Sequence, residues 1–354
     1  PVNLCNVTAE LRNVGSGDYL LTEKSDGQRQ LLLCTSEGVS LMGRDGRVLH
    51  HVCAVEKPFF NTLLDGEWVQ PFVGPPRFLV FDALAVGGED CRARTMLRRL
   101  DSAAEAVKGV HPSAFSIEVK EFYHLDQLKL VLDAIRKHQP REFVFTDPLS
   151  GERRSNDGVV FSSTKSPLAD KPYIKWKFPE LNSVDFLVLH NKLYLTKYKS
   201  VPPHGLICID TVHCRRVDGR WKQASGLGLD TQAFCTVQMR GQEVRLAVNA
   251  PANVQGAIAE CTYDPGKKQW RYVRIHEKVH ANALTKFVPI FQSITSFVDS
   301  DNLPGALKLA QQQKWAPPSP SGTPVDELPG KLQEWFETAR LSPESKLESQ
   351  FELE

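Results

Sequence analysis

The chain has 354 residues, a length that favours two domains, and its 41% hydrophobic and 24% charged residues are ordinary for a globular protein. No run of about 18 apolar residues occurs, so no transmembrane helix is expected, and a net charge of +1 excludes a uniformly basic nucleic-acid sheath. Residues 321–354 carry eight acids and three bases, a net of −5, so the remainder carries +6 and any contact with a polyanion belongs to local patches.

The N-terminal stretch PVNLCNVTAE has neither the basic nor the apolar region of a signal peptide. Without an initiator Met, the chain reads as processed or as cut from something longer. Residues 19–180 read as strands interrupted by two helices. YLLTEKSDGQRQLLLCTSEGVSLMGRDGRVLH predicts two or three strands with glycine turns at SEG and RDGR. LLDGEWVQ and RFLVFDALAV predict further strands, the second ending at Gly87-Gly88. RTMLRRLDSAAEAV has helical spacing and no breaker. FSIEVKEF reads as a strand, and LDQLKLVLDAIRKH as a helix with Leu125, Leu128, Val131, Leu132 and Ile135 on one face. DGVVFSS and YIKWKF add two more strands.

From residue 183 onward the pattern is almost entirely β. SVDFLVLHNKLYLTKYK predicts a hairpin turning at His190-Asn191, and short strands follow in GLICIDTVH, AFCTVQMR, EVRLAV, GAIAECTYD and WRYVRIHE. About five strands over roughly 110 residues suit a small Greek-key barrel such as an OB-fold, and an SH3-like barrel gives much the same pattern. Residues 311–324, QQQKWAPPSPSGTP, read as a polar, Pro-rich linker. LPGKLQEWFETARL beyond it predicts a short amphipathic helix, and SKLESQFELE a frayed end. The eight cysteines include no CxxC pair, which argues against a zinc ribbon or a disulfide scaffold. His204, Cys208, His213 and Cys214 cluster in sequence, yet buried thiols on strands explain such a cluster more often than a metal does.

Chemistry enters at Glu23-Lys24-Ser25-Asp26-Gly27-Gln28-Arg29. The glycine permits a sharp turn that can present the Lys24 amine, and an amine attacks phosphorus only when unprotonated. Four such residues alone are common in surface turns. They are followed in order by Arg44 in GRDG, Glu67 in LLDGEWV, Phe81-Asp82 in FLVFDAL, Asp157 in NDGVVF, Lys175 and Lys177 in YIKWKF, and Arg274 and Lys278 in WRYVRIHEKVHAN. Glu67 and Asp157 offer hard oxygens for a divalent metal. Lys175 and Lys177, two apart on a strand, share a face where ammonium groups can hold a phosphate, with Trp176 turned into the core. Phe81 can stack on a purine.

This ordered series, over about residues 19–290, closely resembles the covalent nucleotidyltransferase superfamily of mRNA-capping enzymes and ATP-dependent polynucleotide ligases. NSVDF after the KWK motif, the strand FSIEVKEFY, and the Trp-to-Asn segment WRYVRIHEKVHAN turn the resemblance toward capping. It implies an α+β fold: an antiparallel-sheet nucleotidyltransferase domain over 1–180, a C-terminal OB-fold β-barrel over 181–298, and a linker and helical or disordered tail over 299–354. It also implies a guanylyltransferase that moves GMP from GTP onto Lys24 and then to the 5′-diphosphate end of RNA, giving GpppRNA with Mg2+ or Mn2+. In that reading Lys24, Lys175, Lys177, Arg274 and Lys278 are catalytic. Asp26, Gly27, Arg29, Arg44, Phe81 and Lys120 bind nucleotide, Lys120 donating to guanine O6, and Glu67 and Asp157 hold metal. Where the family has a second Arg and an Asp in the last motif, this chain has His276 and Glu277; Ser25 and Gln28 decide nothing. The alternatives are an ATP-dependent RNA or DNA ligase and a catalytically inactive RNA-binding relative. No P-loop, phosphatase or methyltransferase motif occurs, so an RNA triphosphatase and a cap methyltransferase lie elsewhere. Those two and the transcription machinery are the expected partners, with no membrane, and the nucleus is the expected location.

Overall fold

In the computed structural model the residues described are 2–3, 14–15, 18–43, 46–165, 167–168, 173–196, 211–224, 231–239, 242–247, 250–264, 266–295 and 298–311. Arg44, His204, Cys208, most of the Pro-rich segment and the acidic end lie outside them. The chain divides into two units, the first comprising Pro1–Phe178 with Val298–Pro317, the second holding Pro179–Phe297.

The first unit begins with β1 (Tyr19–Ser25), β2 (Gln28–Thr35), β3 (Gly38–Gly43), β4 (Val48–Val52), β5 (Thr62–Val69) and β6 (Arg77–Val86). It continues with α1 (Met96–Lys108), β7 (Ser116–Val119), β8 (Tyr123–His124), α2 (Leu128–Asp133), β9 (Ile135–Gln139), β10 (Glu142–Thr146), β11 (Arg153–Ser163) and β12 (Ile174–Trp176). One sheet has the order β7-β6-β5-β2-β3-β4. Apolar residues on one of its faces, Leu32, Cys34, Val39, Leu41, Leu64, Phe78 and Val80, meet Ala103 of α1 in a common core. That burial, rather than helix propensity, holds α1 in place. The other sheet is built around β11, which pairs with β1 along one side and with β10 and β12 along the other.

The second predicted helix is shorter than its spacing suggested. A 3-10 turn, Leu125–Gln127, leads into α2, and the chain leaves the helix before Ile135. Ile135 instead pairs with Phe145, opening a hairpin whose turn contains Pro140 and Arg141, the latter at φ 64°. Pairing along β10 outweighs continuation of an apolar helical stripe.

The second unit contains β13 (Val184–Leu189), β14 (Lys192–Thr196), β15 (Thr211–Val217), β16 (Arg220–Gln223), β17 (Thr231–Thr236), β18 (Ile258–Asp264) and β19 (Gln269–Ile275), in the order β16-β15-β17-β14-β13-β18-β19. The predicted hairpin turn is there: His190 and Asn191 sit at φ 49° and 60°, as a two-residue turn with the twist of its strands requires. Bridges Lys192↔Arg245 and Leu246↔Trp270 link β14 to β19 and curl the sheet into a small barrel. Its interior holds Phe186, Val188, Leu193, Leu195 and Trp270. The fold is therefore α+β, an antiparallel-sheet domain with a C-terminal OB-type β-barrel.

Two helices follow that the strand-dominated reading did not include. α3 (Leu284–Thr295) places Leu284, Phe287, Phe291 and Ile294 in the barrel core. α4 (Leu303–Gln311) belongs to the stretch that rejoins the first unit, where the Trp176 indole donates to the Val298 carbonyl at 2.6 Å. All six cysteines among the described residues are free; five are buried and Cys53 is partly exposed. No group of three or more His, Cys, Asp or Glu side chains placed to hold a metal ion occurs among the described residues.

Candidate active site

Lys24 lies next to the last residue of β1, where side chains alternate between faces. Its neighbours Glu23 and Ser25 are buried, and the Lys24 amine reaches the opposite face, where it meets Asp157 of β11 at 2.6 Å. Lys177, just beyond β12, meets the same Asp157 Oδ2 at 2.6 Å. One carboxylate oxygen thus lies between two half-buried ammonium groups. Burial alone would raise the Asp157 pKa, but Lys177 and Lys24 outweigh it and hold the carboxyl below its ordinary value.

Backbone geometry at two glycines sets this arrangement. Gly158 has φ +126°, and a Cβ there would collide with the Trp176 carbonyl oxygen, so β12 can come close only to glycine. A Cβ on Gly27 would run into the Trp68 carbonyl oxygen and lie 2.9 Å from Glu67 Cγ. Glu67 therefore sits directly over the turn that follows Lys24. Its strand β5 pairs Glu67 with Arg29. Both Glu67 and Asp157 lie inside strands, not at strand ends. Lys175 is partly exposed on β12, flanked by buried Ile174 and Trp176, as the KWK alternation predicts. Asp26 is exposed, and its amide donates to the Ser155 carbonyl.

Phe81 owes its position to a β-bulge. Asp65 pairs with Asp82 and Gly66 with Val80, which leaves Phe81 as the extra residue between them. Val80 and Asp82 are fully buried while Phe81 remains partly exposed. A bulge re-aims a side chain in this way. The Arg29 guanidinium lies 5.8 Å from the Phe81 ring centroid and is anchored on Asp65, Nε to Oδ1 at 2.9 Å. That hydrogen bond raises the Arg29 pKa further.

Lys120 occupies a different setting from the one its expected role suggested. Its amine is buried, 3.0 Å from Glu23 Oε1 and 2.9 Å from Ser25 Oγ. Arg154 Nε and Asn156 Nδ2 also reach Glu23, at 3.2 and 2.9 Å, and the Ser25 hydroxyl donates to it at 2.6 Å. Burial would raise the Glu23 pKa, yet Lys120 and Arg154 bring it down to about 2. Burial pushes the Lys120 ammonium down against the pull of Glu23. Sequence reading missed this cluster and left Ser25 without a role. A second missed cluster joins Asp82, Arg99 and Tyr173: Arg99 Nε donates at 2.6 Å and the Tyr173 hydroxyl at 2.5 Å. The only sequence signal for either is a charge at a strand position whose neighbours read as core.

In the second unit Arg274 meets Glu260 at 2.7 Å, and Ser183 donates to the other oxygen of Glu260. Lys278 and His276 share Asp185, at 2.7 and 2.9 Å. Asp185 is the acid of the NSVDF segment, and its backbone is clamped by Asn282 through paired hydrogen bonds of 2.8 and 2.7 Å. The motif ends quoted from the sequence thus converge on one carboxylate.

Carboxylates suited to a divalent ion are present. Asp157 Oδ2 serves both lysines, and Oδ1 has no hydrogen-bond partner among the described residues. With Glu67 above the adjacent turn, these are hard oxygen donors of the kind that could hold a divalent ion.

Comparison with known proteins places the chain in a family. Residues 4–179 match the family of the mRNA capping enzyme, catalytic domain, and residues 181–304 that of the mRNA capping enzyme, C-terminal domain. The chain is 27% identical over 339 residues to an mRNA-capping enzyme subunit alpha of Schizosaccharomyces pombe, covering 86% of this chain and 79% of that one. It is 25% identical over 321 residues to the subunit of that name from Yarrowia lipolytica, covering 81% and 75%. A mouse mRNA-capping enzyme matches at 28% over 195 residues, covering 48% of this chain and 30% of that one. With both halves of the fold matched in order, the chain belongs to the mRNA-capping enzyme family of nucleotidyltransferases.

Proposed function

We propose that this protein is the guanylyltransferase of mRNA 5′-cap formation, working through a covalent Lys24-GMP intermediate. The observation that carries the reading is the pair of ammonium groups, Lys24 and Lys177, on one oxygen of Asp157. In its unprotonated form the Lys24 amine attacks the α-phosphorus of GTP. An N–P bond forms, the bond to the pyrophosphate breaks, and pyrophosphate leaves. A terminal oxygen of an RNA 5′-diphosphate then attacks the same phosphorus, giving GpppRNA and freeing Lys24.

Lys177 and Lys175 neutralise charge on the α-phosphate as it develops. Phe81 stacks on the base, with Arg29 held beside it and Arg44, Asp26 and Gly27 completing the nucleotide contacts. Arg274 and Lys278 orient the pyrophosphate. Asp157 and Glu67 hold a Mg2+ or Mn2+ ion, which when bound screens the phosphate charge. Lys120 selects guanine through O6, an acceptor that adenine lacks, provided its amine keeps one donor beyond Glu23 and Ser25. The 5′-diphosphate is the product of an RNA triphosphatase, GpppRNA is the substrate of a cap methyltransferase, and both steps go with transcription in the nucleus.

The test is labelling with phosphate-radiolabelled GTP and, in parallel, ATP, followed by denaturing electrophoresis. Acid-labile label from GTP alone, absent in Lys24→Ala, is expected. Label retained by Lys24→Ala would sink the assignment, and label from ATP alone would move it to a ligase.

A further inference from the structure

On β11 the side chains of Arg153, Ser155 and Asp157 alternate with the buried Arg154 and Asn156, so they leave the strand on the face that carries Lys24. Arg153 lies four residues from Asp157, ~13 Å along the strand. Pairing continues this face outward. Ser155 pairs with Val144, and Val144 with Arg136 on β9. The segment after β5 runs alongside β11, its Phe72 amide donating to the Arg153 carbonyl at 3.0 Å. Phe72 is 45% exposed. The Arg153 guanidinium sits 5.4 Å from its ring centroid, and His138 meets it edge-on at 6.3 Å.

Arg136, His138 and Arg153 are all exposed. Among the described residues neither Arg136 nor Arg153 has a carboxylate partner. Three of the acids close by in sequence, Asp133, Asp147 and Glu152, are engaged elsewhere, Asp133 with Lys129. Glu152 pairs with Arg77 and Arg154. Asp147 takes the amides of Leu149 and Ser150. Two arginines without a carboxylate partner, one of them set against an exposed ring, suit a strand with negative charge along its backbone and flat faces to stack.

We propose that this face, Arg136, His138, Arg153 and Phe72, is the track along which single-stranded RNA runs from the diphosphate end at Lys24. The proposal rests on the reading of Lys24 as the nucleophile. The two arginines contact successive phosphates and Phe72 stacks a base. None of these residues takes part in the transfer of GMP from GTP, so the track acts on RNA alone.

The experiment compares the parent with Arg136→Gln/Arg153→Gln and with Phe72→Ala. Binding of a fluorescent 5′-diphosphate oligoribonucleotide is measured by anisotropy across a salt series, and GMP labelling in parallel. In the double variant the slope of log Kd against log salt is expected to drop by about 1.4, the loss of two single-strand phosphate contacts. The KM for that RNA should rise about tenfold, with GMP labelling and the KM for a diphosphorylated dinucleotide unchanged. Phe72→Ala should weaken binding with the salt slope unaltered. An unchanged Kd and slope overturn the proposal. So does an unchanged RNA affinity with lost binding of a phosphorylated peptide, which would make the face a protein interface. Because Kd is read without GMP transfer, failure of the Lys24 assignment shows in the labelling arm and failure of the track in the binding arm.

Discussion

Glu23 and Lys24 are neighbours whose side chains leave β1 on opposite faces, one into the protein and one toward Asp157. Fixing Glu23 therefore fixes the base from which the Lys24 amine projects. Glu23→Gln would leave the Lys120 and Arg154 cations buried without their shared carboxylate, which costs about 3–5 kcal/mol. Urea denaturation should show that loss, and adding Lys120→Met should restore part of it. The same residue gives a pH dependence. Its folded pKa, about 2, lies below the ordinary 4.5, so its contribution is fully present above pH 4.5 and is lost as pH falls toward 2. The span corresponds to roughly 3 kcal/mol, and Glu23→Gln should flatten that part of the stability profile. Asp157→Asn is the complementary change on the face that carries Lys24: if the proposed reaction runs there, the fold should persist while GMP labelling drops about a hundredfold. Lys24, Asp157 and Lys177 were legible because their motifs are short and ordered. Arg154 and Glu23, 131 positions apart, were not, since nothing local marks them as partners.

Strands were read well where apolar and polar residues alternate, as in β5, β6 and β11, and the β13–β14 turn was visible in His190-Asn191. The bulge at Phe81 was not visible, because a bulge adds one residue to a strand without changing its composition. It nonetheless decides whether that ring meets core or ligand. Phe81→Ala should leave the melting temperature nearly unchanged, the side chain being partly exposed, while raising the KM for GTP. A drop in stability of the size a core phenylalanine gives, with GTP affinity intact, would return Phe81 to the core. α3 was missed for a comparable reason. Its apolar residues recur at helical spacing, but the segment holds Pro289, a residue type that disfavours a helix interior. Packing of Phe287 and Phe291 against Trp270 outweighs that cost.

At the scale of the whole chain, the boundary that matters is Val298, where the polypeptide rejoins the first unit after completing the barrel. Sequence offered a local hint. Asp299 accepts the Asn302 amide at 2.7 Å, an N-terminal cap ahead of Leu303-Pro304, yet composition alone read this stretch as linker. What it could not offer was the destination, a hydrogen bond spanning 122 positions from Trp176. Trp176 is almost fully buried and lies between Lys175 and Lys177, so its orientation governs the strand that presents both lysines. Truncation before Val298 removes the acceptor of the indole N–H, a loss of about 1–3 kcal/mol for a buried donor, together with the buried Val298, Leu303 and Leu307. Calorimetry should therefore find the transition of the first unit lowered and that of the barrel unmoved, although the deletion begins immediately after the barrel in sequence. Trp176→Phe in the full-length chain should lower the same transition by less, because the ring is kept and only the hydrogen bond is lost. If truncation shifts the barrel transition instead, the segment from Val298 stabilises the second unit and its assignment to the first fails.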